Sequence, residues 1–318
     1  MNENNNIKEK IKILCIVGPT ASGKSALALE LAKELDGEII SCDSMQIYRR
    51  MDIGTAKPTT QEMSQIRHHM IDVAEPDTSF SCADYVKLAE SAIRDCAERG
   101  KLPIVCGGTG LYLDSLLRGA DFEETASDEK IREELLAFAE REGAHALHEE
   151  LFKIDPESAE AIHENNVKRV VRAIEIYRIC GVPKSELDRR SRLMGDRFDA
   201  TVIGLRYNDR EKLYKRIEKR VDIMMDEGLL SETKTLLSEG VFEKNNTAAQ
   251  AIGYKELLAY IAGEESLDTA VERLKTATRR YAKRQMTWFC AKPYVSWIEA
   301  DEKTFEEIVN CAKKLFSK

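Results

Sequence analysis

The eight residues GPTASGKS, positions 18–25, constrain this chain more than any other stretch. They follow a short continuous apolar run, IKILCIVG (11–18), of the kind that forms a buried parallel strand. They open SALALELAKEL (25–35), which is rich in helix formers and carries apolar residues at helical spacing. A GxxxxGK[ST] pattern between a strand and a helix is a phosphate loop. Its backbone N–H groups and the helix N-terminus cradle anionic oxygens, Lys24 supplies a point charge, and the Ser25 hydroxyl is a ligand for Mg²⁺.

The alternation continues. GEIISCDS (37–44) reads as a second strand ending at Asp43, residues 81–100 as a helix with a glycine stop, and LPIVCGGTG (102–110) as a strand running into a turn. Such βαβ alternation implies an α/β fold, a P-loop NTPase-like parallel sheet flanked by helices. Ligands of these sheets bind at the carboxyl ends of the strands, so the phosphate loop, Cys42 to Ser44 and Gly107 to Gly110 are expected around one crevice. From about 119 to 198 only helical patterns occur, before DATVIGLRY (199–207) restores a strand. The expected organisation is a catalytic core from 1–118 and 199–318 with a mainly helical insertion at 119–198. The polar start, MNENNNIKEK, is expected to fray.

Charged residues make up 33% and apolar residues 43%, the balance of a soluble globular protein. No apolar run is long enough to span a bilayer, and no signal-like segment opens the chain. The eight cysteines include no CxxC pair and no cluster with the five histidines, which points to thiols in a reducing cytoplasm. His68 and His69 read as structural, having no third ligand nearby in sequence. The net charge of -8 argues against indiscriminate nucleic-acid binding. Three windows run the other way: 168–190 and 206–220 each carry seven basic against three acidic residues, and 270–292 carries seven against one. Each window alone reads as a solvated helix face.

The loop does not choose its ligand. A nucleotide hydrolase adds an apolar strand ending in an acid that helps hold Mg²⁺. IVCGGTG has no acid at its end, whereas EIISCD ends in Asp43. Asp43 is therefore either metal-associated or a general base aimed at an acceptor above the bound phosphates.

GPTASGKS is followed in order by DSMQIYRRMDIGTAKP (43–58), HHMID (68–72), GGTGLY (107–112), KRVVRAIEIY (168–177), QAIGYKE (250–256) and TRRYAKRQMTWF (278–289). Together these blocks resemble the bacterial tRNA dimethylallyltransferase family. The resemblance implies that Gly18, Pro19, Thr20, Ala21, Ser22, Gly23, Lys24 and Ser25 bind the diphosphate of dimethylallyl diphosphate, with Mg²⁺ on Ser25. An arginine of the region holding Arg216 and Arg220 is implied at the same diphosphate, and both lie on one helix face. The implied reaction alkylates N6 of adenine-37 beside the tRNA anticodon, with Asp43 accepting the N6 proton and Thr109 lining the place where the substrates meet.

The resemblance also implies RNA contacts: Asp43, Ser44, Met45 and Gln46; Thr109; Arg132; Lys168, Arg169, Val170, Val171 and Arg172; and Gln250, Ala251, Ile252, Gly253, Tyr254 and Lys255. The insertion is implied to grip the anticodon stem-loop, and a monomer is the default. Trp288 and Phe289 read as core packing of a C-terminal helix rather than a base-stacking platform. Rival readings are an adenylate isopentenyltransferase acting on free AMP, ADP or ATP, a small-molecule P-loop kinase, and a non-enzymatic nucleotide-dependent RNA-binding module.

Overall fold

The computed structural model describes residues 10–118, 128–193, 195–242 and 247–317. The expected fraying of residues 1–9 lies outside them. The apolar run forms β1 (Lys12–Val17), followed by α1 (Lys24–Glu34), β2 (Gly37–Ser41), α2 (Thr60–Gln65) and β3 (His68–His69). Next come α3 (Cys82–Glu98), β4 (Leu102–Gly107) and α4 (Gly110–Arg118). A helical stretch holds α5 (Glu129–Glu142), α6 (Ala144–Ile154), α7 (Pro156–Ala161), α8 (Val167–Cys180) and α9 (Lys184–Leu193). The chain then returns through β5 (Asp199–Arg206), α10 (Arg210–Asp226), α11 (Leu229–Ser238), α12 (Leu258–Ile261), α13 (Leu267–Cys290), β6 (Val295–Glu299) and α14 (Phe305–Phe316).

The six strands form one parallel sheet in the order β3-β2-β4-β1-β5-β6. β1 sits inside it, against β4 and β5, and its residues from Ile13 to Val17 are buried. A strand covered on both faces carries apolar side chains throughout, which is why IKILCIV shows no alternation. Leu14, Ile16, Leu27, Leu31, Ile104 and Ile203 build the core between sheet and helices. β2 stops at Ser41 rather than at Asp43. Beyond it the chain stays tied to β4, with Cys42 N donating to Cys106 O at 2.8 Å and Thr109 N donating to Cys42 O at 3.1 Å. A Cβ on Gly107 would lie 2.0 Å from Cys42 O, so this approach of two backbones needs glycine.

β3 and β6 were not expected. β3 has two residues, and β6 is a five-residue edge strand, VSWIE, without strict alternation. Segments so short carry too little pattern to register.

The described residues divide into two units, one up to Leu116 and from Phe198 onward, the other Leu117–Arg197. The second has its own core, with Leu135, Leu147, Leu151, Val170, Val171 and Ile174 packed together. Its ends meet, Arg197 N donating to Leu117 O at 3.0 Å. Among the described residues no helix is long and apolar enough to cross a membrane.

Candidate functional site

The phosphate loop follows directly from the end of β1. Gly18 has φ +147°, and a Cβ there would lie 2.7 Å from Leu205 O, so the loop leaves the sheet against β5. Ala21 takes a left-handed φ of +62°, and Ser22 N closes the turn on Pro19 O at 3.3 Å. Gly23 caps α1 with φ +96° and no side-chain hydrogen bond. The N–H groups of the first turn are thus left for an anion. Lys24 folds back, its Nζ donating to Pro19 O at 3.3 Å. Burial pushes its ammonium below the ordinary lysine range, Arg220 adding to the effect and Asp43 opposing it. Ser25 is exposed on the same turn.

Opposite the loop, the turn after β2 presents Asp43, whose Oδ1 accepts from Met45 N at 2.9 Å. Thr109 Oγ1 accepts from Ser44 N at 3.0 Å, pinning this turn to the one after β4. The Gln46 side chain faces the fold itself. Its Oε1 accepts from Ser41 Oγ at 2.8 Å, and its Nε2 donates to Thr55 O and Ala56 O at 3.3 and 3.0 Å.

α10 supplies the two arginines in different ways. Arg216 donates from Nε to Ala21 O at 2.8 Å and lies over the Tyr207 ring on the outer side of the loop. Arg220, one turn on, makes no contact ion pair among the described residues, though Asp43 and Glu227 act on it at longer range, and it lines a cavity of about 260 Å³ together with Lys24 and Asp43. Leu213, Ile217 and Val221 form the buried stripe of the helix, directly beside the two arginines.

That cavity gathers Thr20, Lys24 and Ser25 from the loop, Asp43, Ser44, Met45 and Gln46 from the turn after β2, and Gln250, Ala251, Ile252, Gly253 and Lys255. Asp43 is the sole carboxylate lining it among the described residues. Gly18, Pro19, Ala21, Ser22, Gly23, Thr109 and Arg216 do not line it. Tyr254 corrects an expectation: it is fully buried, with its hydroxyl on Glu232 Oε1 at 2.7 Å, so it anchors the 250–255 segment and offers no surface to a ligand.

α13 contributes a wall that the sequence reading did not single out: Thr278, Tyr281, Arg284 and Gln285. Gln285 is buried. It accepts from Thr20 N at 2.8 Å and donates to Gly108 O at 3.0 Å, holding the phosphate loop and the turn after β4 at a set separation. A Cβ on Gly108 would lie 2.0 Å from Gln285 Nε2, which explains that glycine. Tyr281 meets the Thr109 side chain, and burial raises its pKa. The signal was present in TRRYAKRQMTWF, where these four residues recur at helical spacing. Phe289 is core, as expected, and Trp288 packs on Gly110 with Lys292 over its ring.

In the unit Leu117–Arg197, the described RNA-contact candidates divide in two. Lys168 and Arg169 are exposed on the first turn of α8. Arg132 and Arg172 both pair with Glu175, at 3.0 and 2.8 Å, and the Glu175 side chain has no exposed surface. Val170 and Val171 are buried in this unit's core, so contact from the segment falls to their neighbours.

His69 has partners that sequence distance concealed. Its Nε2 lies 2.7 Å from Glu38 Oε2 and 3.6 Å from Cys96 Sγ at the amino end of β2, away from the cavity. Glu38, His69 and Cys96 lie close enough to suggest a metal site. Both Glu38 oxygens, however, accept from Arg99, whose hydrogen bonds hold the carboxyl at about 2, and burial pushes the Cys96 thiol up to about 12. The cluster is an ion pair between β2 and α3.

Residues 46–292 match the family model described as IPP transferase. The chain belongs to the IPP transferase family. The match begins beyond the phosphate loop and Asp43, but similarity to individual relatives is wider. A tRNA dimethylallyltransferase of Bacillus subtilis is 50% identical over 93% of this chain and 92% of its own. One from Acetivibrio thermocellus is 51% identical over 93% and 94%. Among solved structures, the tRNA isopentenylpyrophosphate transferase of Bacillus halodurans superposes with a TM-score of 0.71 at 44% identity, covering 97% of both chains. A eukaryotic dimethylallyltransferase acting on tRNA superposes with a TM-score of 0.82 at 31% identity, covering 96% of this chain and 80% of that one. An IPP transferase thus carries its phosphate loop on a six-stranded parallel sheet with the cavity at the carboxyl ends of the strands.

Proposed function

We propose that this IPP transferase moves the dimethylallyl group of dimethylallyl diphosphate onto N6 of adenine-37 in tRNAs reading codons that begin with U, releasing diphosphate. One observation carries the reading: a single cavity joins four cations, among them Lys24 and Arg220 beside the loop, to one carboxylate, Asp43. A phosphoryl-transfer site needs an acid at the end of the strand beside the loop, and β4 ends at Gly107, with Gly108 following.

The loop N–H groups, Lys24 and Arg220 receive the diphosphate, and Arg216 braces the loop through Ala21. As the allylic C1–O bond breaks, negative charge grows on the leaving group among donors already in place. The C1–N6 bond forms from the other side, and the N6 proton passes to Asp43 Oδ2, since Oδ1 is held by Met45 N–H. Thr109 acts as a positioning residue through Ser44. Ser25 Oγ is an exposed hard oxygen on the first turn of α1, which fits Mg²⁺, an ion that keeps waters and phosphate oxygens beside one protein ligand. When bound, it offsets charge on the diphosphate. Gln250, Ala251, Ile252, Gly253 and Lys255, with Ser44 and Met45, face the extruded adenine, while Lys168, Arg169, Arg132 and Arg172 take backbone phosphates of the anticodon stem-loop. The reading places the protein in the cytoplasm as a monomer.

The test offers labelled dimethylallyl diphosphate with unmodified tRNA bearing A36-A37-A38, or with AMP. Label is expected on tRNA and not on AMP. Transfer to AMP with tRNA inert would establish the adenylate reading instead, and ATP hydrolysis without prenyl transfer the kinase reading.

A further inference from the structure

A second cavity, of about 720 Å³, lies against the first. Five residues line both: Ser25, Gln46, Cys106, Arg220 and Met224. These form the wall between the two spaces. Ser25 and Arg220 belong to the diphosphate end, Gln46 is held by three hydrogen bonds, and Cys106 is small and buried. Met224 is thus the one long, flexible apolar side chain in the wall, half-buried and packed on the core beside it. Asp43 lines only the first cavity, so the attacking amine occupies that side. The second has a mixed lining, with Leu29, Ile39, Ile53 and Ile71 as apolar surface and Asp52, Lys57, Glu62, Asp72 and Glu227 as charged surface.

Arg216, Arg220 and Met224 follow one another at intervals of four on α10, a single ridge. Met224 therefore stands four residues, about 6 Å along the helix axis, beyond the cavity arginine. That is close to the length of one isoprene unit. A tail leaving a diphosphate held at Lys24 and Arg220 meets Met224 after five carbons, and a longer tail has to pass it.

We propose that the donor's tail points toward the second cavity and that Met224 sets the tail length admitted, excluding ten-carbon allylic diphosphates. The inference rests on the dimethylallyl-transfer reading. Bond changes are the same for either donor: C1–N6 forms, C1–O breaks, diphosphate leaves and the proton goes to Asp43.

The experiment measures kcat/KM on unmodified tRNA with dimethylallyl and with geranyl diphosphate, identifying the transferred group by nucleoside mass. Met224→Ala is expected to raise the geranyl-to-dimethylallyl ratio at least about tenfold, the scale on which a pocket discriminates by a few methylenes. Met224→Phe is expected to raise KM for dimethylallyl diphosphate several-fold. Met224→Val, a smaller truncation with the same expected sign, serves if the alanine variant does not fold. A ratio within twofold of the wild type in folded variants that still transfer dimethylallyl overturns the assignment of Met224. A wild-type protein that transfers nothing from dimethylallyl diphosphate to tRNA removes the underlying reading as well.

Discussion

Asp43 is a carboxylate with one oxygen engaged by its own turn, and it lines a cavity that also holds Lys24, Arg220, Lys255 and Arg284. In the proposed role of base it would act only in the transition state. Asp43→Ala is therefore expected to lower kcat by about 10²–10⁴, while tRNA affinity, measured by filter binding, changes less than about threefold. Equal losses in kcat and affinity would make Asp43 an RNA ligand and not the base. Gln285 shows a different kind of residue-level role. It is a neutral side chain, distant in sequence, whose two hydrogen bonds set how far the phosphate loop stands from the Thr109 turn. Both roles depend on sub-ångström placement, but only Asp43 sits in a stretch whose local pattern announces it.

At the scale of elements, the sheet is held at both ends of β2. At the carboxyl end, Gly107 lets the β2 and β4 backbones close together beneath the cavity. At the amino end, the Glu38–Arg99 pair joins β2 to α3, with His69 of β3 beside it. The Glu38 carboxyl is held below its ordinary value of 4.5, at about 2, so the ion pair contributes full stability above pH 4.5 and loses it as the pH falls toward 2. Glu38→Gln is expected to cost about 3 kcal/mol at neutral pH, the lower end for breaking a buried pair because Arg99 is a third exposed. It should also flatten the acid limb of stability between pH 4.5 and 2. Urea unfolding across a pH series checks both, and an unchanged acid limb would show that the pair does not hold β2.

The whole molecule comprises two units with separate cores, and the backbone hydrogen bond between Leu117 and Arg197 brings the ends of the smaller one together. Replacing residues 119–196 by a short glycine-serine linker therefore leaves the strand pairing of β1 with β5 untouched. The proposed division of labour makes a definite demand on that variant. It should bind dimethylallyl diphosphate as the full chain does, measured by thermal shift, and lose about a hundredfold or more in tRNA kcat/KM. That loss corresponds to two charged hydrogen bonds to phosphates at about 1.5 kcal/mol each. Full tRNA activity without the insertion would confine RNA recognition to the core.

Much of this molecule follows from short-range pattern. The buried run of β1, the glycines of the loop, the helix formers of α1 and the position of Asp43 are local choices that a few neighbouring residues determine. The same holds for the helical insertion, where apolar spacing and α8's glycine stop are written in consecutive residues. Tertiary structure alone decided what happens between distant segments. It set Arg220 into the cavity and Arg216 behind the loop, turned Tyr254 and the side chains of Val170 and Val171 into cores, and gave His69 its partners from two other elements. It also brought Gln285 to Thr20 across 265 positions of chain. The physical reason is the same in each case. Local sequence sets which conformation a segment prefers, whereas the face a side chain turns to a distant partner is fixed only when close packing of the whole core leaves one arrangement.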